Sequence, residues 1–224
     1  RIGDYSLPKG WKVICAGNRA TDRAGSNKLP SHVVGRCTMI DFEHSTDDWL
    51  AWASKNDICS DILGFISFQP ELLNDFDPKI TTPQPSPRSW ARLSDTLKID
   101  PPKEVLQLIV QGDIGERASI EFMSFLSLKN DVPNLQDICE GKNVEVVDSG
   151  GLCYATVCAL VTVLKEVSDD KLHDYFANAL DYIEKFPTPE FGIFFVRSLV
   201  GARDDVVDSA RYGEFKIKNQ DLEV

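Results

Sequence analysis

The chain has 224 residues, 42% of them apolar and 26% charged. That suits one large soluble domain or two small ones. A net charge of -11 argues against a protein that neutralises a nucleic-acid backbone, because phosphate contacts need clustered Lys and Arg. The longest apolar stretches, 153–164 and 191–196, fall short of the ~20 residues that span a bilayer, so no membrane partner is expected.

The first 44 residues read as strand and loop. Residues 1–5 and 11–16 look extended, joined by the turn Leu7-Pro-Lys-Gly10. The apolar run ending at Ala16 stops at Gly17-Asn18-Arg19, as a buried strand does when it delivers polar side chains to a sheet edge. Residues 17–28 are polar and contain two glycines, which reads as a loop. Pro30 and Ser31 open a short helix ending near Gly35. Residues 38–42 read as a second strand.

From Ser45 the pattern turns helical. Ser45 is an N-cap, with Asp47 and Asp48 in the first turn favoured by the helix dipole. Trp49, Trp52 and Ala53 follow at helical spacing. Ser60-Asp61 opens a second helix with Ile62, Phe65 and Ile66 on one face. Pro78, Pro83, Pro85 and Pro87 mark a loop over residues 74–87. Ser86 caps the next helix, Pro87 suits its first turn, and Trp90, Leu93 and Leu97 form its apolar face. Residues 103–128 read as two helices broken near Gly112–Gly115, and 129–152 as irregular and acidic. Helices are predicted over 153–167, 170–186 and 189–203. The middle one carries the continuous stripe Leu172, Phe176, Ala179, Leu180 and Ile183, with Ser168 as its N-cap.

The six cysteines, at 15, 37, 59, 139, 153 and 158, include no C-x-x-C pair. They read as reduced thiols of a cytoplasmic protein. With three histidines and no His/Cys cluster, no metal site is expected.

Three polar residues carry candidate chemistry. Asn18, at a strand end, can orient an attacking water beside a phosphate, or simply satisfy the turn after the strand. Arg36, just before the second strand, can reach the γ-phosphate of a neighbouring subunit, or pair with Asp41 or Glu43. Arg88 begins a helix, where a positive charge opposes the dipole unless an anion offsets it. The acids of Thr38-Met-Ile-Asp41-Phe-Glu43 and Val144-Glu-Val-Val-Asp148, and the segment Glu140-Gly-Lys142, imitate parts of a nucleotide site. No G-x-x-x-x-G-K-[ST] occurs in the chain, so nothing here cradles the β- and γ-phosphates.

Five segments taken together resemble the downstream half of a MoxR-like AAA+ ATPase of the bacterial and phage branch. They are Leu7-Pro-Lys-Gly-Trp-Lys-Val-Ile-Cys-Ala-Gly-Asn-Arg-Ala-Thr-Asp-Arg-Ala-Gly25, Leu29-Pro-Ser-His-Val-Val-Gly-Arg36, Asp47-Asp-Trp-Leu-Ala-Trp52, Pro70-Glu-Leu-Leu-Asn-Asp-Phe-Asp-Pro78 and Ser86-Pro-Arg-Ser-Trp90. The resemblance implies an α/β, mostly helical fold: the C-terminal strands of a AAA+ P-loop core over 1–44, a helical lid over 45–128 and a helical extension over 129–224. It implies Asn18 as sensor 1, Arg36 as arginine finger and Arg88 as sensor 2, with Arg19 and Arg23 at the nucleotide site or the subunit interface. ATP and Mg²⁺ would be held mainly by segments outside these residues, in a homo-oligomeric ring that remodels a protein client. The rival expectation is a non-enzymatic helical interaction module, or a degenerate relative, that presents Trp49, Trp52, Phe191, Phe194 and Phe195 to a partner.

Overall fold

A computed structural model describes residues 6–17 and 29–219. They divide into two units. The first comprises Arg1–Glu43 with Asp77–Thr81, the second His44–Phe76 with Thr82–Val224.

In the first unit the one regular element among the described residues is the four-residue helix α1 (Ser31–Val34), which starts after Pro30 as expected. The two strands expected at 11–16 and 38–42 are absent, and no strand occurs anywhere among the described residues. The α/β class and the terminal strands of a P-loop core are therefore corrected: the described chain is all-α. The physical reason is pairing. An apolar run becomes a strand only when a neighbour takes up its N–H and C=O groups, and no described segment does so here. The apolar side chains stay in solvent, with Ile14 94% exposed and Phe42 92%.

The second unit is built from α2 (Thr46–Lys55), α3 (Ser60–Phe68), α4 (Pro87–Leu97), α5 (Lys103–Ile114), α6 (Glu116–Ser127), α7 (Leu135–Cys139), α8 (Gly150–Glu166), α9 (Asp169–Ile183), α10 (Glu190–Val200) and α11 (Ala210–Lys218). Short 3₁₀ turns lie at Pro70–Leu73, Leu128–Asp131 and Asp204–Asp208. Local chemistry sets several starts. Ser45 accepts the Asp48 N–H at 3.2 Å, and Asn134 accepts the N–H groups of Gln136 and Asp137 to open α7. The break between α5 and α6 falls at Gly115 alone, and Gly112 stays inside α5. Ser168 occupies the N-cap position of α9 but makes no side-chain cap bond. The sequence reading did not anticipate α7 or α11.

Two apolar clusters fill this unit. One gathers Trp49, Ile62, Phe65, Leu72, Trp90, Phe122 and Phe125 from α2 to α6. Phe65 is its hub, 5.2 to 5.7 Å from the rings of Trp90, Phe122 and Phe125. The other gathers the α9 stripe with Val157, Leu160, Val161, Phe195 and Phe215, and its Phe176 and Phe195 rings stack at 5.8 Å. Tyr154 and Phe194 pack against both. Of the aromatics that an interaction module would display, Trp49, Phe191 and Phe195 are buried and Trp52 is 47% exposed.

Candidate functional site

Asn18, Arg19 and Arg23 lie outside the described residues. Arg36 and Arg88 are described, each in a different unit.

Arg36 follows the last turn of α1, where its N–H donates to the Val33 carbonyl at 3.0 Å. Its side chain is exposed. Neither Asp41 nor Glu43 pairs with it, and the guanidinium has no hydrogen bond or ion pair among the described residues.

Arg88 stands in the first turn of α4, also exposed and also without a side-chain partner among the described residues. The helix beneath it is firmly held. Ser86 and Ser89 form a reciprocal capping box: the Ser89 N–H donates to Ser86 Oγ at 3.2 Å, and the Ser86 N–H donates to Ser89 Oγ at 2.8 Å. That satisfies two donors which a helix start otherwise leaves unpaired. Two residues after Arg88, the Trp90 ring is fully buried and its Nε1–H donates to the Leu72 carbonyl at 2.8 Å. Four residues after Arg88, Arg92 Nε meets Asp113 Oδ1 at 2.6 Å. The first turn of an ordered helix thus presents to solvent a guanidinium with no donor engaged among the described residues, suited to an oxyanion such as a carboxylate or a phosphate.

Of the segments that imitate phosphate and Mg²⁺ holders, 140–142 and 144–148 are engaged otherwise. Lys142 is ion-paired with Asp137 at 2.7 Å and Glu140 at 2.8 Å. The Glu145 carbonyl accepts the Tyr182 hydroxyl at 2.8 Å, and Val144 and Val147 pack on the second cluster.

A second polar cluster surrounds a depression of about 260 Å³ lined by Asp57, Cys59, Asp61, Lys98, Lys129 and Lys165, among others. Asp61 is paired with Lys129 at 2.7 Å and Asp57 with Lys98 at 3.0 Å. Burial would lower the Lys129 pKa, but the charge and hydrogen bond of Asp61 outweigh it and raise it. Burial, then the Asp61 charge, raises the Cys59 and Cys158 thiols. They are protonated at neutral pH and provide no thiolate nucleophile. Sequence reasoning missed this cluster, because its members run from Asp57 to Lys165 and share no spacing.

No protein-family model, no curated protein and no solved structure matches the chain. No helix among the described residues is long and apolar enough to cross a membrane.

Proposed function

We propose that the chain works as the C-terminal part of a MoxR-like AAA+ ATPase, contributing residues that sense and complete a nucleotide site assembled with other segments. Arg88 is the sensor 2 guanidinium, which couples the helical unit to the γ-phosphate. Arg36 is the arginine finger acting on a neighbouring subunit. Asn18 is sensor 1, and Arg19 and Arg23 flank it. The output is ring-type remodelling of a protein client. The observation that carries this reading is Arg88 itself: an exposed guanidinium without a partner among the described residues, presented by a helix held by its capping box, by Trp90 and by Arg92.

The residues present suit one part of this chemistry. A free guanidinium can bind a phosphate oxygen and stabilise charge in phosphoryl transfer. No group of carboxylates or imidazoles among the described residues is arranged to hold Mg²⁺, so metal and triphosphate are assigned to a phosphate-loop segment outside the chain.

The coding sequence upstream of Arg1 tests the reading first. A G-x-x-x-x-G-K-[ST] segment there supports it, and a start codon immediately upstream of Arg1 overturns it. In the protein carrying both parts, Arg36→Ala is expected to lower kcat by ~10³-fold or more while ATP binding persists. Arg88→Ala is expected to lower kcat by about tenfold or more, which corresponds to ~1.4 kcal/mol of transition-state stabilisation. The 224-residue chain alone is expected to show no Mg-ATP turnover. Turnover by that chain, abolished by Arg88→Ala, would refute the division of labour.

A second reading, a non-enzymatic interaction module, draws on the apolar side chains exposed in the first unit: Trp11 at 69%, Ile14 at 94%, Ile40 at 82% and Phe42 at 92%. Patches of this kind mark protein contacts. The two readings separate on Arg36→Glu, which silences a ring ATPase and leaves a module's partner binding intact.

A further inference from the structure

We propose that the corner between α5 and α6 is the positioning device of Arg88, with Gly115 and Asp113 as its positioning residues; the inference rests on the reading of Arg88 given above. Gly115 has φ 81° and ψ 170°, a conformation that glycine adopts readily and other residues do not. It is fixed on both sides, its N–H donating to the Gln111 carbonyl at 2.9 Å and its own carbonyl accepting the Ser119 N–H at 3.0 Å. A Cβ built there overlaps the Pro83 carbonyl oxygen and comes within 3.1 Å of the Pro83 carbonyl carbon. The obstacle is backbone, not a side chain that can rotate away. Any larger residue at 115 must therefore push the chain at 83–84.

That displacement has a short path to the site. Gln84 lies two residues before the N-cap Ser86 and four before Arg88. The single Ser89 hydroxyl proton is shared between the carbonyls of Ser86 at 3.0 Å and Gln84 at 3.5 Å, tying the loop to the first helical turn. The body of α4 cannot follow, because Trp90 is fully buried and bonded to Leu72. The shift is taken up in the first turn, where Arg88 stands.

Asp113 acts on the same guanidinium from the other side of the corner. Arg88 and Arg92 are four residues apart and share a face of α4. Asp113, with its side chain 15% exposed, holds Arg92 at 2.6 Å. It neutralises a second positive charge that would repel Arg88 and compete with it for the same anion.

The test is a double-mutant cycle on kcat in the ATPase assembly that contains this chain. Gly115→Ala and Asp113→Asn are each expected to lower kcat several-fold. In an Arg88→Ala background each is expected to add less than about a twofold further loss, because both act through Arg88. Equal losses with and without Arg88 would assign the corner a structural role alone and overturn the proposal. If Gly115→Ala does not fold, Asp113→Asn, nearly isosteric, decides. Wild-type kcat in the two corner variants alongside a loss in Arg88→Ala would sink the proposal and spare the function. Wild-type kcat in Arg88→Ala would sink both.

Discussion

Cys139 and Cys153 are fully buried, and burial, helped by the charges of Glu140 and Asp148 respectively, pushes both thiols up to about 11. The direction decides their effect on stability. A group whose pKa is raised on folding contributes fully below its unfolded pKa, and that contribution is lost as the pH rises through the folded value. Stability is therefore expected to hold to about pH 9 and to decline between about 9 and 11. Urea midpoints measured across that range should fall, and should fall less steeply in the Cys139→Ala/Cys153→Ala double variant. An unchanged slope in that variant would show that these thiols do not contribute. At this scale the sequence was informative where chemistry is local. Ser45 and Ser86 were recognisable as caps because the donors they satisfy lie three residues on. The Asp61–Lys129 pair was not, since no pattern links residues 68 apart.

Among the elements, α3 and α8 approach so closely at Gly64 that a single added atom matters. A Cβ added at Gly64 would overlap Cys158 Sγ and come within 3.3 Å of the Phe125 ring, while Cys158 donates to the Ser60 carbonyl at 3.0 Å. Gly64→Ala is expected to destabilise the protein by ~1–3 kcal/mol through overpacking. Adding Cys158→Ala should recover much of that loss, so the two changes should be strongly non-additive in chemical denaturation. Simple additivity would mean that the helices yield elsewhere. Helices with a clear stripe and a good cap, such as α4 and α9, were legible in the sequence. α11 was not: it is nine residues long, with Gly213 inside it, and buries only Phe215. It is held to α9 and the residue that follows it by tertiary ion pairs, Arg211 with Asp181 at 2.9 Å and Lys218 with Glu184 at 3.0 Å.

Across the whole molecule, every buried apolar side chain among the described residues lies between Trp49 and Phe215. The second unit therefore has its own core. A chain starting at His44 is expected to keep its helical circular dichroism and to melt in one cooperative transition. A broad, non-cooperative melt would show that residues 1–43 are needed for packing.

What the sequence determined by itself was most of the helices of the second unit, α7 and α11 excepted, because a helix satisfies its backbone within a few residues and its apolar face repeats at a readable period. It also singled out Arg88, as a cation placed against a helix dipole. The tertiary structure decided the rest. It showed that the apolar runs at 11–16 and 38–42 are not strands, since a strand needs a partner that no local pattern encodes. It showed too that Arg92 is neutralised while Arg88 is left free, because Asp113 reaches α4 only after the chain has turned back on itself.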